Sequence, residues 1–256
     1  MKTNRLKQLL TTGQPARGVW LGIPSPESAR LLARLPLDWL VVDSEHSPLD
    51  VSTMSRMVAA IAEADGPAPL VRIAQASVEN IKRALDAGAY GIIAPMINTP
   101  EEAEQVVTWS RFPPEGQRSF GSAYAGLTFG QSMGEYLKTA NEQVIVGIQI
   151  ESEAAFEHLD AIFAVKGIDL VFVGPVDLSI SLGLDPLPEN PDPQFKRFID
   201  RLITSARPHR LPLGIFCSNG RAAAERLRQG FQFVNVASDT GGLPRFVQAE
   251  LDVSKK

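Results

Sequence analysis

A chain of 256 residues with 44% hydrophobic content can bury a large core; its length matches one α/β barrel or two small domains, and a single domain over residues 1–256 is the simpler expectation. With 25 basic and 29 acidic residues, a net charge of -4 and no lysine or arginine block, the composition excludes an electrostatic footprint for nucleic acid or anionic lipid and leaves small-molecule chemistry. The lone cysteine, Cys217, excludes an intramolecular disulfide, and no stretch approaches the roughly 18 apolar residues of a membrane span, so a soluble cytoplasmic protein is expected.

In chain order, short apolar runs alternate with longer amphipathic segments, the pattern of repeated strand-then-helix units around a parallel sheet. GVWLGI (18–23) is followed by SPESARLLARL, LDWLVVDS (37–44) by LDVSTMSRMVAAIAEA, PLVRIA (69–74) by SVENIKRALDAG, and YGIIAPM (90–96) by TPEEAEQVVTWS. VIVGIQI (144–150) precedes SEAAFEHLDAIFAV, DLVFVG (169–174) precedes PQFKRFIDRLITSARPH, LPLGIF (211–216) precedes NGRAAAERLRQG, and FQFVNVA (231–237) is the eighth run. Most runs are continuously apolar rather than alternating, as strands buried on both faces require. Ser77 and the Thr99-Pro100-Glu101-Glu102 stretch read as helix starts, Gly88 and Gly230 as helix stops. Eight strands with helices between them predict an α/β fold of the (β/α)₈ barrel type, with a doubly wound sheet as the alternative.

Barrels of this kind carry chemistry at the carboxyl ends of their strands, and the polar residues collect there. Asp43, Glu45 and His46 follow the second strand, and His46, beside two carboxylates, is the one histidine placed to act as a base; His158 and His209 read as surface residues. Arg72 ends the third strand among apolar neighbours, so its guanidinium must pair with an anion, either a structural carboxylate or the carboxylate or enolate of a substrate. Gln149 and Glu151, two apart, project from one side of the fifth strand. Asp177 follows the sixth strand after a Gly-Pro turn, and by itself it reads equally well as the N-cap of the next helix. Paired with Glu151, it makes a two-carboxylate site for a divalent metal, and the absence of clustered Cys or His favours Mg²⁺ or Mn²⁺ over structural zinc. Cys217, inside LPLGIFC, reads as an inert core thiol. Asp86 precedes the fourth strand and so belongs to the opposite rim, while RFPPEGQRSFGSAYAG (111–126) reads as a substrate-covering or subunit-contact loop on the catalytic side.

The segments DSEHSPLD, VRIAQASVENIKRALDAGAYGIIAPM, RFPPEGQRS, QIES and VFVGPVDLSISLG, in this order and spacing, resemble the 4-hydroxy-2-oxo-heptanedioate aldolase family of metal-dependent class II pyruvate aldolases. The resemblance runs over most of the chain and implies a (β/α)₈ barrel that reversibly cleaves a 4-hydroxy-2-oxo acid to pyruvate, or a close 2-oxo acid, and an aldehyde through a metal-stabilised enolate. It implies Glu151 and Asp177 as ligands of Mg²⁺, Mn²⁺ or Co²⁺, and Gln149, Val176 through its backbone, Asp177 and Arg72 as substrate contacts. His46 becomes the general base, Arg72 the group that stabilises the transition state, and Asp86 a carboxylate that raises the basicity of the histidine. Since Asp86 lies on the far rim, that last role requires a neighbouring subunit, in keeping with the family's hexamers built as dimers of trimers.

One segment departs from the family. After Arg118 the family continues Gly-Val-Gly and then Ala-Arg-Ala with an aromatic; here SFGSAYAGLTFG loses the second arginine and gains Phe120, Tyr124 and Phe129, which disfavours an acidic semialdehyde as acceptor. Trp20 and Phe216 at strand ends either narrow the acceptor pocket or belong to the core. Two other functions fit a related barrel: a carbon–carbon lyase of the citrate or malyl-CoA type, which would need a nucleotide-binding basic patch, and a non-catalytic protein that binds a 2-oxo acid, which would not need His46.

Overall fold

The eight apolar runs form a closed, all-parallel barrel in the computed structural model, which describes residues 3–121 and 123–255. The strands are β1 (Ala16–Leu21), β2 (Trp39–Asp43), β3 (Ala68–Arg72), β4 (Gly91–Ala94), β5 (Ile145–Ile150), β6 (Leu170–Val173), β7 (Leu213–Ile215) and β8 (Phe233–Ser238). Each pairs with the next in sequence, and β1 closes on β8 with Ala16 opposite Phe233. The barrel, not the doubly wound sheet, is the fold. Every residue of β2 to β7 is buried, which is why these strands read as continuous apolar runs.

Aromatic rings fill the barrel from one end to the other. Trp39 and Phe233 stack with centroids 3.9 Å apart, and Trp20 lies on Phe172 at 5.0 Å nearer the carboxyl ends of the strands. Trp39 donates its indole N–H to the Ala16 carbonyl at 3.2 Å, so its one polar atom is not stranded in the core.

The helix boundaries legible in the sequence have their physical partners. Ser77 accepts from the Asn80 amide, Thr99 and Glu102 form a reciprocal capping box, and Gly88 and Gly230 close their helices at φ of 93° and 102°, a conformation glycine adopts without a Cβ penalty. Among the described residues five further helices also form: Arg5–Thr11, Ala123–Thr128, Met133–Gln143, Pro175–Ser181 and Asp239–Ser254. The last of these contains Gly241, Gly242 and Pro244, whose low helix propensity hides it from a periodicity reading.

The 111–126 segment, residue 122 aside, corrects an expectation. It follows the helix Pro100–Ser110, which returns the chain to the amino ends of the strands, and there it stays. Arg118 donates to Asp86 at 3.0 Å and to the Tyr136 hydroxyl at 2.9 Å, with its guanidinium 4.6 Å from the Phe112 ring centroid. Nearby, the Tyr90 hydroxyl donates to the Thr128 carbonyl just below β4. Within one chain this segment is therefore a packed piece of the amino rim and does not cover the catalytic side. No helix among the described residues is long and apolar enough to cross a membrane.

Candidate active site

The carboxyl ends of the strands enclose a cavity of about 290 Å³ whose walls include Trp20, Asp43, His46, Arg72, Gln149, Phe172, Val176, Asp177 and Phe216. A larger groove of about 1050 Å³ lies on the outer surface between the helices Pro193–Ala206 and Gly220–Arg228 and contains none of these residues. Trp20 belongs to the packed core, Phe216 is partly buried against it, and both face the cavity.

On the β2 and β3 side, Arg72 bridges two carboxylates. Its Nε donates to Asp43 Oδ1 at 2.9 Å and its Nη2 to Asp43 Oδ2 at 2.5 Å, while Nη1 lies 2.9 Å from Glu45 Oε2. The two-pronged contact with Asp43 uses the planar fork that lysine lacks. Burial pushes the Asp43 carboxyl up, but the hydrogen bonds and charge of Arg72 outweigh it and hold it below the usual carboxylate value. Glu45 goes the other way: burial raises its pKa, and the attraction of Arg72 and His46 recovers only part of the loss. Asp43 also accepts from the backbone N–H groups of Glu45 and His46, at 3.0 and 3.4 Å, which bends the chain so that His46 stands at the cavity mouth. The His46 side chain is 62% exposed, with Nε2 3.7 Å from Glu45 Oε2.

On the β5 and β6 side, Glu151 is buried just past the end of β5. One oxygen accepts from Gln149 Nε2 and the other from the Met96 backbone N–H at 2.8 Å. Met96 adopts φ 55°, a left-handed conformation rare for a non-glycine residue, and this turn aims its N–H at the carboxylate. Burial raises the Glu151 pKa, and the charges of Asp177 and Glu45 raise it further. Gly174 stands against this carboxylate: a Cβ built there would lie 2.1 Å from Glu151 Oε2 and 3.0 Å from Gln149 Nε2. Asp177 is the third residue of Pro175–Ser181, whose N-cap is Gly174, so the alternative reading of Asp177 as a capping residue fails.

Asp43 and Glu45 thus flank the Arg72 guanidinium, while Asp177 lies near enough to repel both Glu45 and Glu151. The repulsion that Asp177 exerts on both Glu45 and Glu151 marks a surplus of negative charge that a divalent cation would neutralise. Among the described residues no group of three or more His, Cys, Asp or Glu side chains is placed to hold a metal ion, so these residues form no closed cage. The all-oxygen donors suit a hard ion, and Gln149 Oε1, buried with no hydrogen-bond partner among the described residues, is an acceptor that faces the same pocket. The residues present fit a divalent metal.

Asp86 is the sequence-predicted residue that stays apart, paired with Arg118 on the amino rim. Gly22, Gly174, Ser238 and Thr240 also line the cavity and the Met96 N–H reaches Glu151, although no sequence motif marks these residues as candidates. Cys217 is buried, and burial pushes its thiol up to about 12, which removes it as a nucleophile. His158 and His209 are exposed, as expected.

A parallel barrel whose carboxyl-end cavity concentrates carboxylates, one arginine and one histidine defines a class of metal-compatible lyases, and residues 17–244 match the HpcH/HpaI aldolase/citrate lyase family. The chain belongs to that family. It is 39% identical over 236 residues to the hydroxypyruvate/pyruvate aldolase of Rhizorhabdus wittichii, covering 92% of each chain. It is 37% identical to the 4-hydroxy-2-oxo-heptane-1,7-dioate aldolase of Escherichia coli, covering 96% of this chain and 93% of that one. Among solved structures, an HpcH/HpaI aldolase/citrate lyase family protein of Burkholderia cenocepacia superposes with a TM-score of 0.91 at 35% identity, over 99% of this chain and 100% of the other.

Proposed function

We infer that this chain is a carbon–carbon lyase, a class II aldolase that reversibly cleaves a 4-hydroxy-2-oxo acid into pyruvate, or a close 2-oxo acid such as hydroxypyruvate, and an aldehyde. The observation that carries this reading is the convergence of Gln149, Asp177, the Arg72 bridge and His46 on one cavity of substrate size, with the Glu151 carboxylate bonded to Gln149. Glu151 and Asp177 would hold the divalent cation, Mg²⁺, Mn²⁺ or Co²⁺, which when bound supplies Lewis-acid polarisation of the 2-oxo group.

The residues divide the remaining work. Val176, through its backbone, Asp177 and Gln149 orient the 2-oxo acid against the β5 and β6 wall. His46 at the mouth takes the proton of the 4-hydroxyl; the C3–C4 bond breaks, the new carbonyl leaves as the aldehyde, and the electron pair remains on the pyruvate enolate. Arg72, fixed by Asp43 and Glu45, faces that negative charge as it develops. Protonation of the enolate at C3 completes pyruvate. Two acidic neighbours at Arg72 keep it rigid, so little reorganisation accompanies charge development.

Asp86 would act on His46 of a second subunit, raising its basicity. The exposed face of His46 and the outward-facing Leu243, Phe246, Val247 and Leu251 of the helix Asp239–Ser254 support self-association, and a hexamer of two trimers is the assembly we propose.

The lyase of citrate or malyl-CoA type is the weaker reading, because among the described residues the only fixed cation on the cavity wall is Arg72, already committed to Asp43 and Glu45. Incubation of the protein with Mg²⁺ or Mn²⁺, pyruvate and a panel of aldehydes, followed by mass spectrometry, tests the proposal: 4-hydroxy-2-oxo acid products support it. Activity confined to coenzyme A thioesters, or pyruvate binding with no product, would replace it with one of the alternatives.

A further inference from the structure

The cavity has two chemically different arcs. Residues at or just past the ends of β2, β3 and β6 supply every ionisable group on its wall among the described residues, with the neutral amide of Gln149 from β5 between them. The arc built from β1, β7 and β8 contributes Trp20, Gly22, Phe216, Ser238 and Thr240, none of them charged. If the charged arc engages the 2-oxo acid, as proposed above, the neutral arc is the surface left for the aldehyde. Its geometry depends on how the loop after β1 meets the start of the helix after β8.

One side chain makes that junction. Asp239, the first residue of the helix Asp239–Ser254, accepts from the Gly22 backbone N–H at 2.7 Å and from the Ile23 N–H at 3.0 Å, one with each carboxylate oxygen. It lies between Ser238 and Thr240, two residues of the neutral arc, and binds a third, Gly22. The fit at this junction is close: a Cβ at Gly22 would come within 2.9 Å of Thr240 Cγ2. Charge-assisted bonds to two adjacent amides fix both distance and direction, which a single neutral bond would not. Asp239 itself is not on the cavity wall and has no part in the proton transfers assigned to His46 or in the charge held by Arg72.

We propose that Asp239 is a positioning residue for the aldehyde: its carboxylate clamps the β1 loop to the start of the last helix and so sets the acceptor wall. The proposal rests on the aldolase reading, and it makes a prediction that reading does not. Two reactions of one site must respond differently. Exchange of the pyruvate methyl protons with solvent deuterium needs only removal of a C3 proton to a base of the site and return of a deuteron; no aldehyde takes part. Cleavage and aldol addition also need the acceptor wall. Displacements near 1 Å at a reacting partner cost on the order of 100-fold in rate.

The test compares wild type, Asp239→Asn and Asp239→Ala in the Mg²⁺- or Mn²⁺-supplemented full-length protein, with exchange followed by proton NMR and aldol addition by product formation at varied aldehyde concentration. Asn retains one acceptor oxygen and Ala none, so kcat/KM for the aldehyde is expected to fall roughly 10-fold in the first and roughly 100-fold in the second, with KM for pyruvate and the exchange rate within about twofold of wild type. Equal losses in exchange and addition would make Asp239 a general structural residue and overturn the proposal, as would unchanged aldehyde kinetics. If Asp239→Ala does not fold, Asp239→Asn decides by the same split. Absence of both reactions from the wild-type protein would instead remove the aldolase reading on which the proposal stands.

Discussion

Gly174→Ala probes the site with a single methyl group. The backbone of Gly174, at φ -87° and ψ 91°, is open to alanine, so the substitution acts through the space its Cβ must enter. That atom would lie 2.1 Å from Glu151 Oε2, 3.0 Å from Glu151 Cβ and 3.0 Å from Gln149 Nε2. Favourable contacts between heavy atoms begin near 3.5 Å, so the Glu151 carboxylate must withdraw by about 1 Å or more. It cannot do so without stretching its bonds to Gln149 and to the Met96 N–H. A shift of that size at a catalytic group costs about 100-fold in kcat/KM, or roughly 2.7 kcal/mol in the barrier. Overpacking costs the fold only about 1–3 kcal/mol, which lowers Tm by several degrees and leaves the barrel folded. Pyruvate release, coupled to NADH oxidation by lactate dehydrogenase, measures turnover, and isothermal titration with Mn²⁺ measures metal affinity. Loss of both in a folded variant is the expected result. A Gly174→Ala protein with wild-type turnover and wild-type Mn²⁺ affinity would show that the position of Glu151 against Gly174 is irrelevant to function.

Two further outcomes follow from the same charges. Burial raises the Glu151 pKa, so the folded metal-free protein holds a proton that the unfolded chain has released; stability falls as pH rises upward from the ordinary glutamate value of 4.5, and the cost is complete above the raised folded value. Glu151→Gln should therefore melt at a higher temperature than wild type in metal-free buffer at neutral pH and gain less than wild type on adding Mg²⁺; a lower melting temperature in metal-free buffer would contradict this. His46→Ala should lose roughly 100-fold or more in cleavage while pyruvate still binds with near wild-type affinity by calorimetry, because binding uses the β5 and β6 wall; unaltered cleavage kinetics would take His46 out of the proton transfer.

The strands are legible because β2 to β7 are buried on both faces and so read as unbroken apolar runs, and the eight predicted runs depart from the observed strands only at the ends. Gln149 and Glu151 were legible as a pair because the period of a strand puts residues two apart on one side, and they do bond to each other. Asp43 and Arg72 were visible individually, but their two-pronged pairing depends on adjacent strands in register, which one sequence position cannot state. The 111–126 segment lies on the rim opposite to the expected one; its polar, glycine- and proline-rich composition marks a loop without saying which end of the barrel it occupies. The order of elements settles it, since the helix Pro100–Ser110 that follows β4 returns the chain to the amino rim before the segment begins. Gly174, Met96 and Asp239 were out of reach for a different reason: each matters through a backbone amide or a missing Cβ that meets a group far away in the chain. Asp86 remains the residue whose proposed role depends on a second subunit, and its pairing with Arg118 gives it a structural duty within its own chain.

The central claim is that Glu151 and Asp177 share one divalent cation and that cleavage depends on it. Wild-type protein, Glu151→Ala and Asp177→Ala, each stripped with EDTA and then titrated with Mn²⁺ while pyruvate formation is followed, test this in one series. The stripped wild type should be inactive and should recover on addition of Mn²⁺, and each variant should need a metal concentration at least about 10-fold higher or fail to recover. Full turnover by the rigorously metal-free wild type, or recovery of both variants at the wild-type Mn²⁺ concentration, would contradict the account.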